Sequence, residues 1–256
     1  MTHHPDTLPG RLLDAFGHDG ASPRLTWYGA DGERTELSGR VLANWVTKAA
    51  NLLVEEADAE PGTTVVLDLP VHWRTLVWAL ASWTTGARVV LPDEEVEDVD
   101  VVVTTDPEGA PGVDQADLVL AVSLPALAMS WDGPELPAEV IDAAAELMSY
   151  GDQLGYVSEP EDDDVALVGA GLEATFGELA DWARGTLELG RPPAAEEDGD
   201  DAVPVRALVT PRDLAALLEQ ALAVWRSGGS LVLTEPGTDE ATLERIAADE
   251  QVDLRW

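Results

Sequence analysis

Short apolar runs bounded by turn residues alternate along the chain with longer segments of helical spacing. "PGTTVVLDLP" (61–70) reads as a buried strand, "VHWRTLVWALASWTTGA" (71–87) as a helix and "RVVLPD" (88–93) as a second short strand. Upstream, "TELSGRVLANWVTKAANLLVEE" (35–56) sets Leu37, Val41, Leu42, Trp45, Ala49 and Leu52 on or near one helix face. Further strands are expected at 99–105 and 116–123, with a helix over 137–150. "EDDDVALVGAGLEATFGELADWARG" (161–185) reads as a strand, a glycine turn and a helix. Beyond it come a strand (203–210), a helix (211–229) that Pro211 and Asp213 open and Gly228 closes, a strand (230–234), a helix (238–251) and a last "VDLRW".

Strands interleaved with helices predict an α/β fold whose largely parallel sheets are flanked by helices. "LGRPPAAEEDGDDAV" (189–203) is the best boundary, giving an N-terminal α/β lobe over 1–190 and a smaller lobe over 191–256. The sequence stops at Trp256 just as another strand is expected to begin, so the second lobe reads as small or cut short.

Composition narrows the classes. The 256 residues, 45% of them hydrophobic, suffice for a sizeable core. The absence of cysteine excludes disulfides and thiolate chemistry. With no long apolar run and no basic start before an apolar stretch, a soluble cytoplasmic protein is expected. Fourteen basic against 50 acidic residues give a net charge of −36, with Lys48 the single lysine. Such a field repels nucleic acid and anionic membranes, and a solvated acidic surface accounts for it more simply than a dedicated basic partner.

Candidate chemistry is sparse. Gly169, Gly171 and Ala174 match G-x-G-x-x-G/A after a strand, where a helix N-terminus would receive a pyrophosphate. Thr175 and Glu178 form a capping-box pattern that would occupy those N–H groups internally, and Glu173 would repel a phosphate. No basic residue lies between Val165 and Ala183, so a plain strand-to-helix turn is preferred. His3, His4, His18 and His72 lack metal-site spacing; His72 reads as a surface residue of a first helical turn, with a ligand-facing sheet edge as the alternative. The acidic clusters at 93–100 and 161–164 read as solvated loop ends without calcium-loop spacing. Trp73, Trp78 and Trp83 spread around one helix, so at least one should face away from the core or contact another lobe.

The order of segments resembles the adenylate-forming superfamily of acyl-CoA synthetases and adenylation domains. "LTWYGADGERTELSGRVLANWVTKAANLL" (25–53) is similar to that family's opening hairpin and T-Y/F-x-E-L helix. Gly62, Leu69, Pro70, Ala79, Gly86, Ala87 and Pro92 carry the stronger match, and 218–256 is similar to a later helix–strand–helix stretch. The resemblance places a phosphate loop, T-S-G-T/S-T-G-x-P-K, after "DDVALV"; here "GAGLEATFG" stands instead, without its lysine or serine. The family's adenine-binding motif and C-terminal catalytic domain have no counterpart in the sequence. What this implies is a degenerate phosphate-loop position at Gly169, Gly171 and Thr175, no catalytic or metal-binding residue and no cofactor. The expected function is non-catalytic, with an unidentified protein or small-molecule partner. The alternatives are a residual or partner-assisted adenylating enzyme and, on Gly169, Gly171 and Ala174, a dinucleotide-dependent oxidoreductase.

Overall fold

The computed structural model describes residues 4–29, 32–94, 98–183 and 204–256. Helix α1 (Leu8–His18) is capped by Thr7, and strands β1 (Pro23–Tyr28) and β2 (Arg34–Ser38) form an antiparallel hairpin. Ser38 then caps α2 (Gly39–Ala57), which ends at Asp58 with φ 47°. β3 (Thr64–Asp68), α3 (Trp73–Thr84) and β4 (Arg88–Val90) follow, then β5 (Val101–Thr104), β6 (Leu118–Ala121) and β7 (Val140–Asp142). One turn of helix, α4 (Ala143–Glu146), precedes β8 (Val165–Gly169) and β9 (Leu172–Thr175). The remaining elements are β10 (Arg206–Val209), α5 (Leu214–Arg226), β11 (Ser230–Thr234), α6 (Glu240–Asp249) and β12 (Leu254–Arg255).

Two sheets result. The first has the order β12-β10-β11-β1-β2 and the second β7-β6-β5-β3-β4-β8-β9. Pairing is parallel except in the hairpins β1–β2 and β8–β9, as the α/β reading expects. Residues of the C-terminal segment thus complete a sheet begun by β1 and β2, with Leu25 in register with Leu231. The expected boundary at 190/191 lies outside the described residues.

Helices α1, α2, α3 and α5 fill the space between the sheets. One hydrophobic cluster joins Leu25, Trp27 and Leu231 of the first sheet to Val65, Leu67 and Val101 of the second. α6 covers the far side of the first sheet through Leu243 and Ile246 against Leu208 and Val232. On the far side of the second sheet, Val66, Val90, Val102 and Val119 pack with Val99 and Ala110. Among the described residues, no helix is long and apolar enough to cross a membrane.

Two expectations change and one is narrowed. All twelve residues of α3 are buried, so none of Trp73, Trp78 and Trp83 faces away from the core, which leaves contact with another lobe, and α3 packs against α5 of the C-terminal segment. A helix enclosed by two sheets and other helices needs apolar side chains all round, which five-residue tryptophan spacing supplies. The segment 137–150 is not one helix: Val140 and Ile141 pair with β6, Asp142 caps α4 and a 3-10 turn follows over Leu147–Ser149. The glycine segment at 169–175 departs furthest from its expected form.

Candidate functional site

At 165–175 the expected strand, turn and helix is a strand, turn and strand. Ala170 (φ 55°) and Gly171 (φ 71°) form a two-residue turn with both φ values positive, the type I′ geometry that matches strand twist, and Gly169 pairs with Leu172 across it. Helical residues start at 179. The G-x-G-x-x-A pattern therefore has no helix to open, and its glycines have local reasons. Gly169 has φ 151°, and a Cβ there would lie 2.5 Å from the Cβ of Leu91, whose N–H donates to Val168 O. Gly171 supplies the second left-handed position of the turn.

The donors of this turn are occupied by the protein's own carboxylates. Ala170 N donates to Asp93 Oδ2 at 3.0 Å and Gly171 N to Glu94 Oε1 at 3.3 Å. Glu178 Oε2 accepts from Thr175 N at 3.0 Å, which is one half of the expected capping box. Successive N–H groups such as those of Ala170 and Gly171 make a concave anion receptor; here both hold internal anions. Asp93 and Glu94 of the first acidic cluster thus cap backbone. Asp100 accepts from Thr64 N at 2.6 Å and Asp164 from Glu161 N at 2.8 Å, while 95–97 lie outside the described residues. Arg184, the nearest basic residue along the chain, also lies outside them, as does His3.

A second constellation sits at the carboxyl ends of β3 and β5. Chain order reverses there, since β4 lies on one side of β3 and β5 on the other, and such switch points are where α/β sheets open a crevice. Thr104 Oγ1 donates to Asp68 Oδ2 at 2.7 Å and accepts from Asp106 N at 2.8 Å, closing part of that rim. His72 is not a surface residue. It is 4% exposed and caps α3, its Nδ1 accepting from Arg74 N at 3.2 Å, with its ring centroid 4.6 Å from that of Trp27. Burial, and secondarily the Arg74 charge, lower its pKa from 6.5 to about 3.

Arg74 was not singled out from the sequence, although it is the one charged residue in α3. Its guanidinium lies 4.5 Å from the Trp73 ring centre and 5.2 Å from that of Trp45, and donates to the carbonyls of Leu124 (3.3 Å) and Pro125 (3.0 Å). Burial lowers its pKa to about 10, against the opposing charges of Glu33 and Asp132. Among the described residues, the indole N–H groups of Trp27 and Trp73 are buried without a partner. Next to this cluster, a cavity of about 310 Å³ is lined by Leu124, Pro125, Trp131, Asp132 and Pro134, among others.

A larger open depression of about 1270 Å³ runs along α1. Its His4, Arg11 and Arg24 lie 2.7, 3.0 and 3.2 Å from Asp14, Asp6 and Asp19. Arg24 also donates to the carbonyls of Gly228 and Gly229, which ties it to the scaffold. Among the described residues, no three His, Asp or Glu side chains group to hold a metal ion.

No family model matches the chain. Solved structures of similar fold include the Klebsiella oxytoca NpsA N-terminal subdomain in complex with 3-hydroxybenzoyl-AMSN, at TM-score 0.62 and 14% identity over 98% of this chain and 59% of that one. A Brucella canis acyl-CoA synthetase aligns at TM-score 0.71 and 17% identity, over 98% of this chain and 47% of its own. The amide bond synthetase McbA of Marinactinospora thermotolerans aligns at 0.62 and 19%, over 95% and 47%. The chain spans 47% to 59% of the length of these three, and its fold is that of the N-terminal region of adenylate-forming enzymes. A TIGR03089 family protein of Mycobacterium tuberculosis is 33% identical over 258 residues, 97% of each chain, and this chain belongs to the TIGR03089 family.

Proposed function

We propose that this protein is a non-catalytic member of the adenylate-forming scaffold, which binds a partner or small molecule and does not activate an acid with ATP. One observation carries this reading: where the resemblance places a nine-residue phosphate loop, the chain makes a two-residue turn whose N–H groups hold Asp93 and Glu94. An incoming polyphosphate must displace both carboxylates and then sit beside them and Glu173 with no lysine in the motif. At ~4 Å each like-charge contact costs about 1 kcal/mol in water and about 4 kcal/mol at an effective dielectric near 20. Two or three such contacts outweigh the attraction of two amides.

Thermal shift and ATP–pyrophosphate exchange test the proposal. Ligand at 100 times its dissociation constant stabilises a fold by about 2.7 kcal/mol, so even modest affinity is visible. Millimolar Mg-ATP, with and without fatty, aromatic or amino acids, should leave the melting temperature at the level of an ionic-strength control, with exchange at background. Saturable stabilisation, or exchange dependent on one acid, would establish the adenylating alternative instead.

A further inference from the structure

Acidity is segregated along this chain. Between Arg88 and Arg184 there are 24 Asp and Glu residues and no Lys, Arg or His. That stretch includes β5 to β9 and the loop from Ser123 to Pro134, whose two arms line the 310 Å³ cavity. At the crest of this loop Leu127 is 90% exposed and Met129 70% exposed.

The loop is held in place from below. Arg74 donates to the carbonyls of Leu124 and Pro125, Ala126 N donates to Glu33 Oε1 at 3.3 Å, and Ala128 N to Pro125 O at 3.0 Å. Buried Ser123 donates to Ser130 O and accepts from Asp132 N, both at 3.2 Å, while Trp131 N donates to Asp142 Oδ2 at 2.7 Å. Two large apolar side chains are thus presented to water on a fixed loop. Ordering has already been accomplished in the free protein, the condition under which a small apolar surface binds well.

We propose that this loop is a docking site for a basic, apolar segment of a partner protein. The segment's apolar side chains rest on Leu127 and Met129, and a Lys or Arg enters the cavity against the Trp131 ring and the Asp132 carboxylate. Charge complementarity selects this occupant. A second copy would bring another −36 to the interface and be repelled, whereas a cationic segment is steered toward it. The site is separate from the β8–β9 hairpin, so nucleotide binding there would overturn the non-catalytic reading and leave this proposal standing.

The test uses a fluorescent peptide of alternating Leu and Arg, with Ser/Arg and Leu/Glu peptides as controls, read by anisotropy at about 0.15 M salt, where the Debye length is near 8 Å. The intact protein should bind the Leu/Arg peptide saturably and the controls at least about tenfold more weakly, a difference of about 1.4 kcal/mol. Leu127→Ser with Met129→Ser should weaken binding by a similar factor, and Asp132→Asn by several-fold. Leu127 and Met129 are on the exposed loop, so the double variant should match the parent protein in melting temperature; Asp132→Asn also removes a charge that faces buried Arg74, so its binding is compared well below its own melting temperature. Hydrogen exchange should slow at 123–134 on binding. Absent binding, an undiminished double variant, a Ser/Arg peptide of equal affinity, or a homodimer abolished by the same double variant would each overturn the proposal.

Discussion

An ordinary histidine is almost fully protonated at pH 5, and His72 in the folded protein is not. Its burial beneath Trp27 and Trp73, beside the Arg74 charge, lowers its pKa from 6.5 to about 3. The unfolded chain therefore takes up a proton between pH 7.5 and 5 that the native state refuses. The stability contributed by a neutral His72 is complete above pH 6.5 and is lost progressively as pH falls toward 3. At pH 5 the unfolded state lies 1.5 pH units below its pKa, worth about 2 kcal/mol at roughly 1.4 kcal/mol per unit. This figure depends on the native pKa only through its being well below 5.

The informative comparison is with His72→Asn, which keeps a capping acceptor and removes the titration. Losing the ring contacts should destabilise the variant at every pH. Urea unfolding at pH 7.5 and 5.0 then gives the gap between the two proteins, and the acidic background, common to both, cancels. The gap should shrink by about 2 kcal/mol on going to pH 5. A gap constant to within about 0.5 kcal/mol would mean that the imidazole is protonated in the native state or reached by water, and the enclosed geometry at the start of α3 would be refuted.

Glu250 gives a second pH signature in a lower window. Burial would raise its pKa, but hydrogen bonds from Arg34, Tyr28 and Arg206 outweigh that and hold it at about 2. Its contribution is intact above pH 4.5 and lost as pH falls toward 2, and because Arg34 is 43% exposed, Glu250→Gln should cost about 2 kcal/mol at pH 7 in urea titration rather than the ~3 kcal/mol of the full displacement. Ala170→Asn should raise the melting temperature by a few degrees, since asparagine tolerates the left-handed turn position that strains alanine by about 1 kcal/mol; a lower value would contradict the type I′ assignment. Val66→Asp places an unpaired charge in central strand β3 and should abolish soluble expression, a normal melting point being the contrary result. Between 0.1 and 1 M sodium chloride the melting temperature should rise as the Debye length drops from ~10 to ~3 Å, and a flat curve would show that the surface carboxylates are already compensated.

The buried central strands were legible because they couple an apolar run to flanking turn residues: Val65, Val66 and Leu67, or Val101 and Val102, have no solvent-facing alternative. The caps Ser38, Asp213 and Asp239 lie at the starts of periodic helices. What misled was distance along the chain. Glycine followed by Leu172–Thr175 suits a strand or a helix equally, and pairing with Val165–Gly169, buttressed by Leu91, decides for the strand. His72 read as a surface residue because one of the rings that enclose it, Trp27, lies 45 residues earlier in β1. Asp93 is exposed, as a solvated loop end should be, but that it and Glu94 cap amides 77 residues away is not visible in local spacing. Arg74, alone among apolar neighbours, was the one overlooked signal in plain view.

The first sheet also bears on the order of events during synthesis. β1 emerges from the ribosome early, yet its parallel neighbour β11 follows about 200 residues later, a delay of roughly 10 to 40 s at the usual rates of elongation. Meanwhile Leu25 and Trp27 lack the strand that lies beside theirs in the finished molecule. The second sheet, drawn entirely from 64–175, suffers no such wait. Vectorial folding should then proceed outward from the second sheet, with the nascent β1–β2 hairpin dependent on a chaperone, or on packing against α2, until β11 arrives.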